Sequence, residues 1–135
     1  MSRQDPVADA LTRIRNAQAV NHKDVIIPGS KVLLDIFKVM QEEGFIASYE
    51  EFLVDETKPA IKSIKVVLRY FKGKPVIETL KRLSSPGRKQ YMKVDDLPME
   101  KNGLGVVIVT TSKGVMTTLA AKKLGVGGEL LVAVY

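Results

Sequence analysis

A compact polar cluster with the capacity for recognition chemistry consists of Thr110, Thr111, Ser112, Lys113 and Gly114. It follows the apolar residues 106–109, so we expect a rigid β-strand to deliver the whole cluster to one place. Short hydroxyl side chains both donate and accept hydrogen bonds, which suits base edges and ribose 2′-hydroxyls in the shallow minor groove of RNA. Gly114 would let the main chain come close, and Lys113 would reach a phosphate. An ordinary polar turn explains the same residues, so both interpretations stay open.

The positive charge of the chain is concentrated in a second feature, residues 72–93. The 135 residues carry 21 Lys and Arg against 15 Asp and Glu, a formal net charge of +6. Within residues 72–93 the only acidic residue is Glu78, and the basic residues are Lys72, Lys74, Lys81, Arg82, Arg88, Lys89 and Lys93. Seven minus one is +6, so the remaining 14 basic and 14 acidic residues cancel. Together with Tyr91, this stretch favours contact with phosphates and bases, and a solvated basic face is the alternative.

Residue types that catalysis requires are scarce. His22 is the only histidine and Cys is absent, which excludes disulfides, cysteine nucleophiles and thiolate or multi-histidine metal sites. Gly103-Leu104-Gly105 lacks the third glycine of a dinucleotide fingerprint, and no Walker-type spacing exists. A phosphoryl-binding enzyme that used residues 110–114 as an anion loop would lack a second acid or base. We therefore expect no catalytic residues, no cofactor and no metal.

Composition limits the class of protein. Hydrophobic residues make up 45% of the chain, enough for a core, and no apolar run approaches the ~20 residues of a membrane span. Residues 1–20 show no export signal. We expect a folded, soluble protein with no membrane partner and a polyanion as its natural ligand.

The first half of the chain shows helix and strand patterns. Asp5-Pro6 with Val7, Ala10, Leu11 and Ile14 predicts a capped amphipathic helix. A short strand at residues 25–27 precedes a second helix, which Ser30 caps and Gly44 ends. Residues 45–51 and 61–70 read as strands, and residues 71–74 as a tight hairpin connection.

The second half is more glycine-rich and basic. Apolar spacing in residues 76–83 fits a helix better than a strand, although periodicity alone does not settle it. We expect a turn at 95–99, a buried strand at 103–109, a short helix at 117–124 capped by Thr117, and a last strand at 129–134. Gly125 is typical of a helix end, and Gly127-Gly128 of a turn or a close backbone approach. The fold class is α+β, with an N-terminal domain at 1–71 and a mainly β C-terminal domain at 72–135.

Five separated motifs carry a resemblance to a known family. They are residues 5–9 with 11–17, residues 42–46, Ser85-Pro86-Gly87, residues 111–117, and Gly127-Gly128-Glu129. In this order they resemble the bacterial small-subunit ribosomal protein number eight over nearly the full chain. The resemblance implies two small α+β domains, with residues 76–83 mainly a strand, and a structural role in the ribosome.

The function that the resemblance implies is primary binding of a stem in the central domain of the 16S ribosomal RNA, which helps to organise the small subunit during assembly. Neighbouring small-subunit proteins would be further partners. A messenger RNA of its own operon that folds into the same stem would bind as well, which predicts feedback on synthesis.

The resemblance also implies RNA-binding residues in both domains. In the C-terminal domain they are Thr110, Thr111, Ser112, Lys113, Gly114, Tyr91, Arg88, Lys89, Gly128 and Glu129. In the N-terminal domain they are Asp5, Thr12, Arg13, Arg15, Asn16, Ser30 and Lys31. This chain has Thr118 and Leu119 where members commonly have an acidic and a basic residue, which puts a local contact in doubt, and Thr110 where serine is usual.

A function of another class stays open beside RNA binding. The chain would then be a protein-interaction module, whose strands and helices bind other proteins while the basic charge is incidental. Retention of protein partners after nuclease treatment would favour that alternative.

Overall fold

A computed structural model describes residues 5–98 and 105–135, and these form two compact units. The N-terminal unit is Pro6–Ile77, and the C-terminal unit is Glu78–Tyr135 together with Asp5. Each unit combines helix and sheet, so the predicted α+β class is confirmed. No helix within the described ranges is long and apolar enough to cross a membrane.

The N-terminal unit places two helices and a three-stranded antiparallel sheet around one core. Its elements are α1 (Pro6–Ala19), β1 (Asp24–Pro28), α2 (Lys31–Glu42), β2 (Ile46–Leu53), β3 (Lys62–Leu68) and a hairpin of β4 (Tyr70–Phe71) and β5 (Lys74–Pro75). The sheet order is β1-β3-β2. The β4–β5 hairpin confirms the tight connection predicted at residues 71–74.

Helix α1 begins at the predicted Pro6, and α2 begins and ends where the sequence predicts. Residues that recur every three or four positions along α1, among them Val7, Leu11 and Ile14, are buried, because such residues share one face of a helix. At the start of α2, the Ser30 hydroxyl accepts a hydrogen bond from the Leu33 amide at 3.2 Å. Gly44 follows α2 with a φ of 84°, a conformation that glycine adopts without strain.

The C-terminal unit is built on one antiparallel sheet. Its elements are β6 (Leu80–Arg82), β7 (Tyr91–Met92), a 3₁₀ turn (Val94–Asp96), β8 (Val106–Thr111), β9 (Gly114–Thr117), α3 (Thr118–Leu124) and β10 (Gly128–Val134). The strand order is β6-β10-β8-β9, and β7 also pairs with β10. Val107 and Val109 of β8 pack with Ala121 of α3 in the core, so α3 lies on one face of the sheet.

Helix α3 confirms two predicted boundaries. The Thr117 hydroxyl accepts from the Ala120 amide at 3.1 Å and caps the start, and Gly125 ends the helix with a φ of 73°. At the two positions that depart from the family pattern, Thr118 is buried and Leu119 is exposed.

Residues 76–83 correct a prediction made from periodicity. The helix that this spacing favours is wrong, because the segment contains no helix and its only strand is Leu80–Arg82. The backbone of β10 supplies the reason: Arg82 pairs with Val132, and the Leu83 amide donates to Leu131 O at 2.9 Å. Pairing with a distant strand therefore overrides local spacing. The predicted strand at 103–109 corresponds to β8, which begins at Val106. Residues 103 and 104 of that prediction lie outside the described ranges, as does residue 99 of the predicted turn.

Candidate nucleic-acid interface

The register of the C-terminal sheet brings three predicted binding residues into one row. Tyr91 of β7 pairs with Glu129 of β10, and Glu129 pairs with Thr110 of β8. Directly paired residues project from the same face of a sheet, so the three side chains are neighbours. Val109 and Leu130 pair in the next row, on the opposite face, and belong to the core. Residues distant in the sequence thus meet on the face that the core cluster does not occupy.

The β8–β9 hairpin presents the hydroxyl-rich cluster at the same end of the sheet. Thr111 pairs with Gly114, which leaves Ser112 and Lys113 as a two-residue loop. The Thr111 hydroxyl donates to Gly114 O at 2.9 Å and accepts from the Lys113 amide at 3.0 Å. This side chain closes the loop from within, so its hydroxyl is already committed to the fold.

The other hydroxyls of the cluster are available to a ligand. The Ser112 side chain is exposed and that of Thr110 is partly exposed. Neither hydroxyl has a hydrogen-bond partner in the part of the chain that the structure describes. Lys113 is exposed as well, and its ammonium group makes no ion pair with any described residue. The loop therefore offers donors, acceptors and one cation to solvent.

Three glycines support this hairpin, for two different physical reasons. Gly128 lies so close to β8 that a Cβ atom would collide with Thr110 O and would stand 3.0 Å from Val109 Cγ2. Gly127 is crowded in the same way by Met92 O, which confirms the predicted close backbone approach. Gly114 has open space around it but a φ of 115°, so conformation rather than crowding requires glycine there.

A short arm between β6 and β7 carries Arg88 and Lys89 and leads into Tyr91 of the row. Ser85 and Arg88 exchange backbone hydrogen bonds of 3.0 Å in both directions across the Pro86-Gly87 turn. Arg88 and Lys89 are exposed, and the Tyr91 side chain is 72% exposed. The arm therefore presents two cations to solvent next to the exposed aromatic ring of Tyr91.

Two residues that position this arm were not predicted from the sequence. Ser84 is fully buried, and its hydroxyl accepts from the Gln90 amide at 2.9 Å. The Gln90 side-chain amide donates to Leu83 O at 2.7 Å. The Ser84-Ser85-Pro86-Gly87 sequence signals a turn, but nothing in it distinguishes the buried serine from the partly exposed one.

The basic stretch at residues 72–93 is divided between the two units. Lys72 and Lys74 belong to the N-terminal unit, and the other five basic residues belong to the C-terminal unit. Arg82 pairs with Asp5 at 3.3 Å, and their side chains are 19% and 20% exposed. Arg88, Lys89 and Lys93 are exposed and make no ion pair with any residue in the described ranges. The cations available at this end of the sheet are therefore fewer than the sum of charges indicates.

The binding residues predicted on α1 lie on its exposed face. Thr12, Arg13, Arg15 and Asn16 are all exposed, opposite the buried stripe of the helix. The Arg13 side chain pairs with Asp9 at 2.9 Å, and the Thr12 hydroxyl donates to Ala8 O at 3.0 Å. These groups reach solvent but already have partners within the helix.

Ser30 and Lys31 begin α2 beside an open cleft of about 430 Å³. The Ser30 hydroxyl serves as the helix cap, and the Lys31 ammonium pairs with Asp35 at 2.8 Å. The predicted residues of the N-terminal unit are thus more fully occupied by local contacts than Ser112 and Lys113. In the described residues, no group of three or more metal-ligating side chains could hold a metal ion.

Comparison with known proteins gives consistent matches over the whole chain. The family model described as Ribosomal protein S8 matches residues 5–135. The small ribosomal subunit protein uS8 of Ectopseudomonas mendocina is 52% identical over 135 residues, which cover 100% of both chains. The protein of the same name from Shewanella denitrificans is 50% identical over 131 residues, 97% of each chain.

Proposed function

Because the chain belongs to the ribosomal protein S8 family, we propose that its C-terminal unit binds a stem in the central domain of the 16S ribosomal RNA and so helps to organise the small subunit during assembly. Membership makes the protein a structural, non-enzymatic constituent of the small ribosomal subunit, located in the ribosome in the cytoplasm. The finer proposal concerns which surface meets the RNA and how.

The observation that carries this proposal is the shared end of the C-terminal sheet. The row of Tyr91, Glu129 and Thr110 lies next to the loop of Ser112 and Lys113, since Thr110 is separated from Ser112 by one residue of β8. Hydroxyls without partners, an exposed aromatic ring and unpaired cations thus occupy one region. Folding does not require these groups at an exposed site, whereas an irregular RNA stem offers a partner for each of them.

Recognition would come from the hydroxyl groups. Ser112 and Thr110 would bond to base edges or ribose 2′-hydroxyls in the minor groove, where short side chains let the backbone approach. Glu129 accepts hydrogen bonds and repels phosphate, so it favours a base amino group or a ribose hydroxyl at the same row. Tyr91 would stack on a base that is unpaired in the stem.

Affinity would come mainly from the cations of the arm and of the β8–β9 loop. Arg88, Lys89 and Lys113 would neutralise phosphates and release counterions, which strengthens binding to any RNA in a salt-dependent manner. In the N-terminal unit, Arg13, Arg15 and Lys31 would add contacts to the RNA backbone. Phosphate contacts set position and base contacts set specificity, so the two kinds of residue are separable by experiment.

The test compares Ser112→Ala with Ser48→Ala, an exposed serine on β2 of the N-terminal unit. We expect Ser112→Ala to lose on the order of 1–3 kcal/mol of binding free energy for the specific stem, because a desolvated RNA group is left unpaired. Binding of a scrambled stem and the thermal unfolding midpoint stay unchanged, and Ser48→Ala matches wild type on both RNAs. If Ser112→Ala keeps the full preference for the specific stem, the loop does not recognise it.

Feedback through an operon messenger RNA is the regulatory part of the proposal. A leader that folds into the same stem would occupy the same hydroxyl loop, so it would compete with ribosomal RNA for one site. We expect mutual competition between the two RNAs and equal weakening of both by Ser112→Ala. Simultaneous binding of both RNAs to one protein molecule would contradict this.

A further inference from the structure

The β4–β5 hairpin of the N-terminal unit has a tip that its own fold does not explain. Its two loop residues, Lys72 and Gly73, have φ angles of 53° and 79°. A two-residue loop with both φ values positive is the turn that fits strand twist, and Asn, Asp or Gly normally occupies its first position. A lysine there accepts a left-handed backbone at a conformational cost. Conformation alone would not select this residue.

An aromatic ring stands exposed beside that lysine. Phe71 is 67% exposed, and Lys72 Nζ lies 5.4 Å from the centroid of its ring. Exposed phenylalanine contributes little to folding, because most of its apolar surface stays in water. The strained lysine therefore places its charge over one face of the Phe71 ring, and most of the ring's surface stays open to a ligand.

The base of the hairpin is anchored to the rest of its unit. The Tyr70 hydroxyl donates to His22 O, and the Val76 amide donates to Arg69 O at 3.0 Å. The Arg69 guanidinium donates to Gly44 O at 2.6 Å. These bonds fix the strands below the tip, so Phe71 and its neighbouring cations are held in place before any ligand arrives.

The cations at the tip differ from those of the adjoining sheet. Residues 58–77 contain six basic and no acidic residues. On β3, Lys62 pairs with Glu51 and Lys65 with Asp24, each at 3.7 Å. Lys72 and Lys74 are exposed and make no ion pair within residues 5–98 and 105–135. Lys72 and Lys74 are thus two unneutralised cations directly beside Phe71, since Lys72 follows it in the sequence and Lys74 pairs with it across the hairpin.

We propose that the β4–β5 hairpin is a second RNA-binding site, in which Phe71 stacks on an unpaired base while Lys72 and Lys74 contact the adjacent phosphates. An aromatic face between cations is the arrangement that binds single-stranded nucleic acid with little sequence preference. The inference rests on the proposed function, because it takes ribosomal RNA as the partner. It adds a site of different chemistry on the other unit of the chain.

A fluorescence experiment tests the stacking directly. The chain contains no tryptophan, so Phe71→Trp in the full-length protein places one reporter at the tip. Leu124→Trp, at an apolar residue that is 51% exposed at the end of α3, is the matched control. We expect the central-domain fragment of the 16S RNA to quench Phe71→Trp strongly and Leu124→Trp weakly. Equal emission of free and RNA-bound Phe71→Trp, with binding verified by filter retention, would overturn the proposal.

Affinity measurements separate this site from the one in the C-terminal unit. Phe71→Leu keeps apolar surface without an aromatic face, and Lys72→Asn removes the charge while tolerating the left-handed backbone. We expect Phe71→Leu to weaken binding of the central-domain fragment about tenfold and Lys72→Asn to lower its salt slope by roughly 0.7. Neither changes binding of the minimal stem, and Ser112→Ala weakens binding of both RNAs.

The outcomes distinguish the two proposals. If Phe71→Leu binds both RNAs as wild type while Ser112→Ala weakens both, the hairpin site is wrong and the proposed function stands. If Ser112→Ala has no effect on either RNA, the proposed function fails. If Phe71→Leu weakens binding of a neighbouring small-subunit protein and leaves both RNA affinities unchanged, the tip is a protein contact and the RNA proposal is overturned. Unchanged thermal unfolding of the variants, which their exposure predicts, verifies that each protein is folded.

Discussion

The β8–β9 and β4–β5 hairpins both reverse the chain tightly, but different residues form and close their turns. Both have two-residue loops that contain a lysine, and each has a glycine with a positive φ at the turn, Gly114 and Gly73 respectively. In β8–β9, the Thr111 side chain closes the loop and leaves the Ser112 hydroxyl in solvent. In β4–β5, no such side-chain closure is needed, because Lys72 and Gly73 both adopt the left-handed conformation that the turn requires.

The two hairpins therefore suit different contributions to the proposed RNA binding, the first specificity and the second affinity. Ser112 lies in a two-residue loop that Thr111 closes, so its hydroxyl is presented at one place, where it would discriminate between RNA groups. An aromatic ring flanked by lysines accepts any unpaired base, because every base has a π-face. The β8–β9 hairpin therefore suits recognition of a particular RNA stem, and the β4–β5 hairpin suits binding of nearby unpaired RNA with little sequence preference.

The greatest change in stability is expected at Gly128, which contacts the strand that carries the β8–β9 hairpin, and almost none at Gly73 of the β4–β5 hairpin. Gly128→Ala would drive a Cβ into Thr110 O, so β10 and β8 must separate, and we expect a loss of about 3 kcal/mol of unfolding free energy. Gly73→Asn meets no atom within 4 Å and asparagine tolerates a positive φ, so its unfolding free energy should stay within about 0.5 kcal/mol of wild type. Urea unfolding of both variants measures the difference. Equal stabilities would show that the strand contact at Gly128 does not hold the recognition hairpin.

A smaller effect distinguishes two arginines of the same basic stretch. Arg88→Gln removes an exposed cation without an ion pair among the described residues, so the salt slope of RNA binding should fall by roughly 0.7–0.9 with stability unchanged. Arg82→Gln breaks the pair with Asp5 and should instead cost about 1.5 kcal/mol of stability with little change in slope. Titrations at several salt concentrations, with thermal unfolding of both variants, give the two quantities. The reverse assignment would mean that Arg82, and not Arg88, meets phosphate.

The smallest effect concerns the anchor of the β4–β5 hairpin. Burial raises the pKa of the Tyr70 hydroxyl above its ordinary value of 10.0. A raised folded pKa favours the protonated form in the folded state, so this contribution to stability is complete below pH 10 and is lost as pH rises through the folded pKa. The stability advantage of wild type over Tyr70→Phe should therefore shrink above pH 10, as chemical unfolding at pH 8 to 11 would show. Parallel pH curves for the two proteins would contradict it.

Much of the fold was predictable because local chemistry determines it. Ser30 and Thr117 are recognisable as helix caps, and Gly44 and Gly125 as helix ends, since each acts on residues next to it in the sequence. The hairpin at residues 71–74 was predictable for the same reason. The hydroxyl cluster itself was also visible as residues 110–114, and its role in RNA binding stays a prediction.

The parts that escaped prediction depend on distant partners. Helical spacing at residues 76–83 misled because β10 supplies hydrogen bonds that only the tertiary fold creates. The pairing of Arg82 with Asp5 joins residues 77 positions apart, so a sum of charges along the chain counts a cation that is already neutralised. The division of the hydroxyls into committed Thr111 and available Ser112 likewise required their hydrogen bonds.

The most direct measurement maps where the hydroxyl loop meets RNA. The chain has no cysteine, so Ser112→Cys in the full-length protein provides a single attachment point for a tethered RNA-cleaving reagent, and Ser48→Cys provides the control on β2. We expect the reagent at residue 112 to cut naked small-subunit RNA at one stem of the central domain. The reagent at residue 48 should not cut at those nucleotides. Absence of localised cleavage from residue 112, in a complex that still binds the RNA, would contradict it.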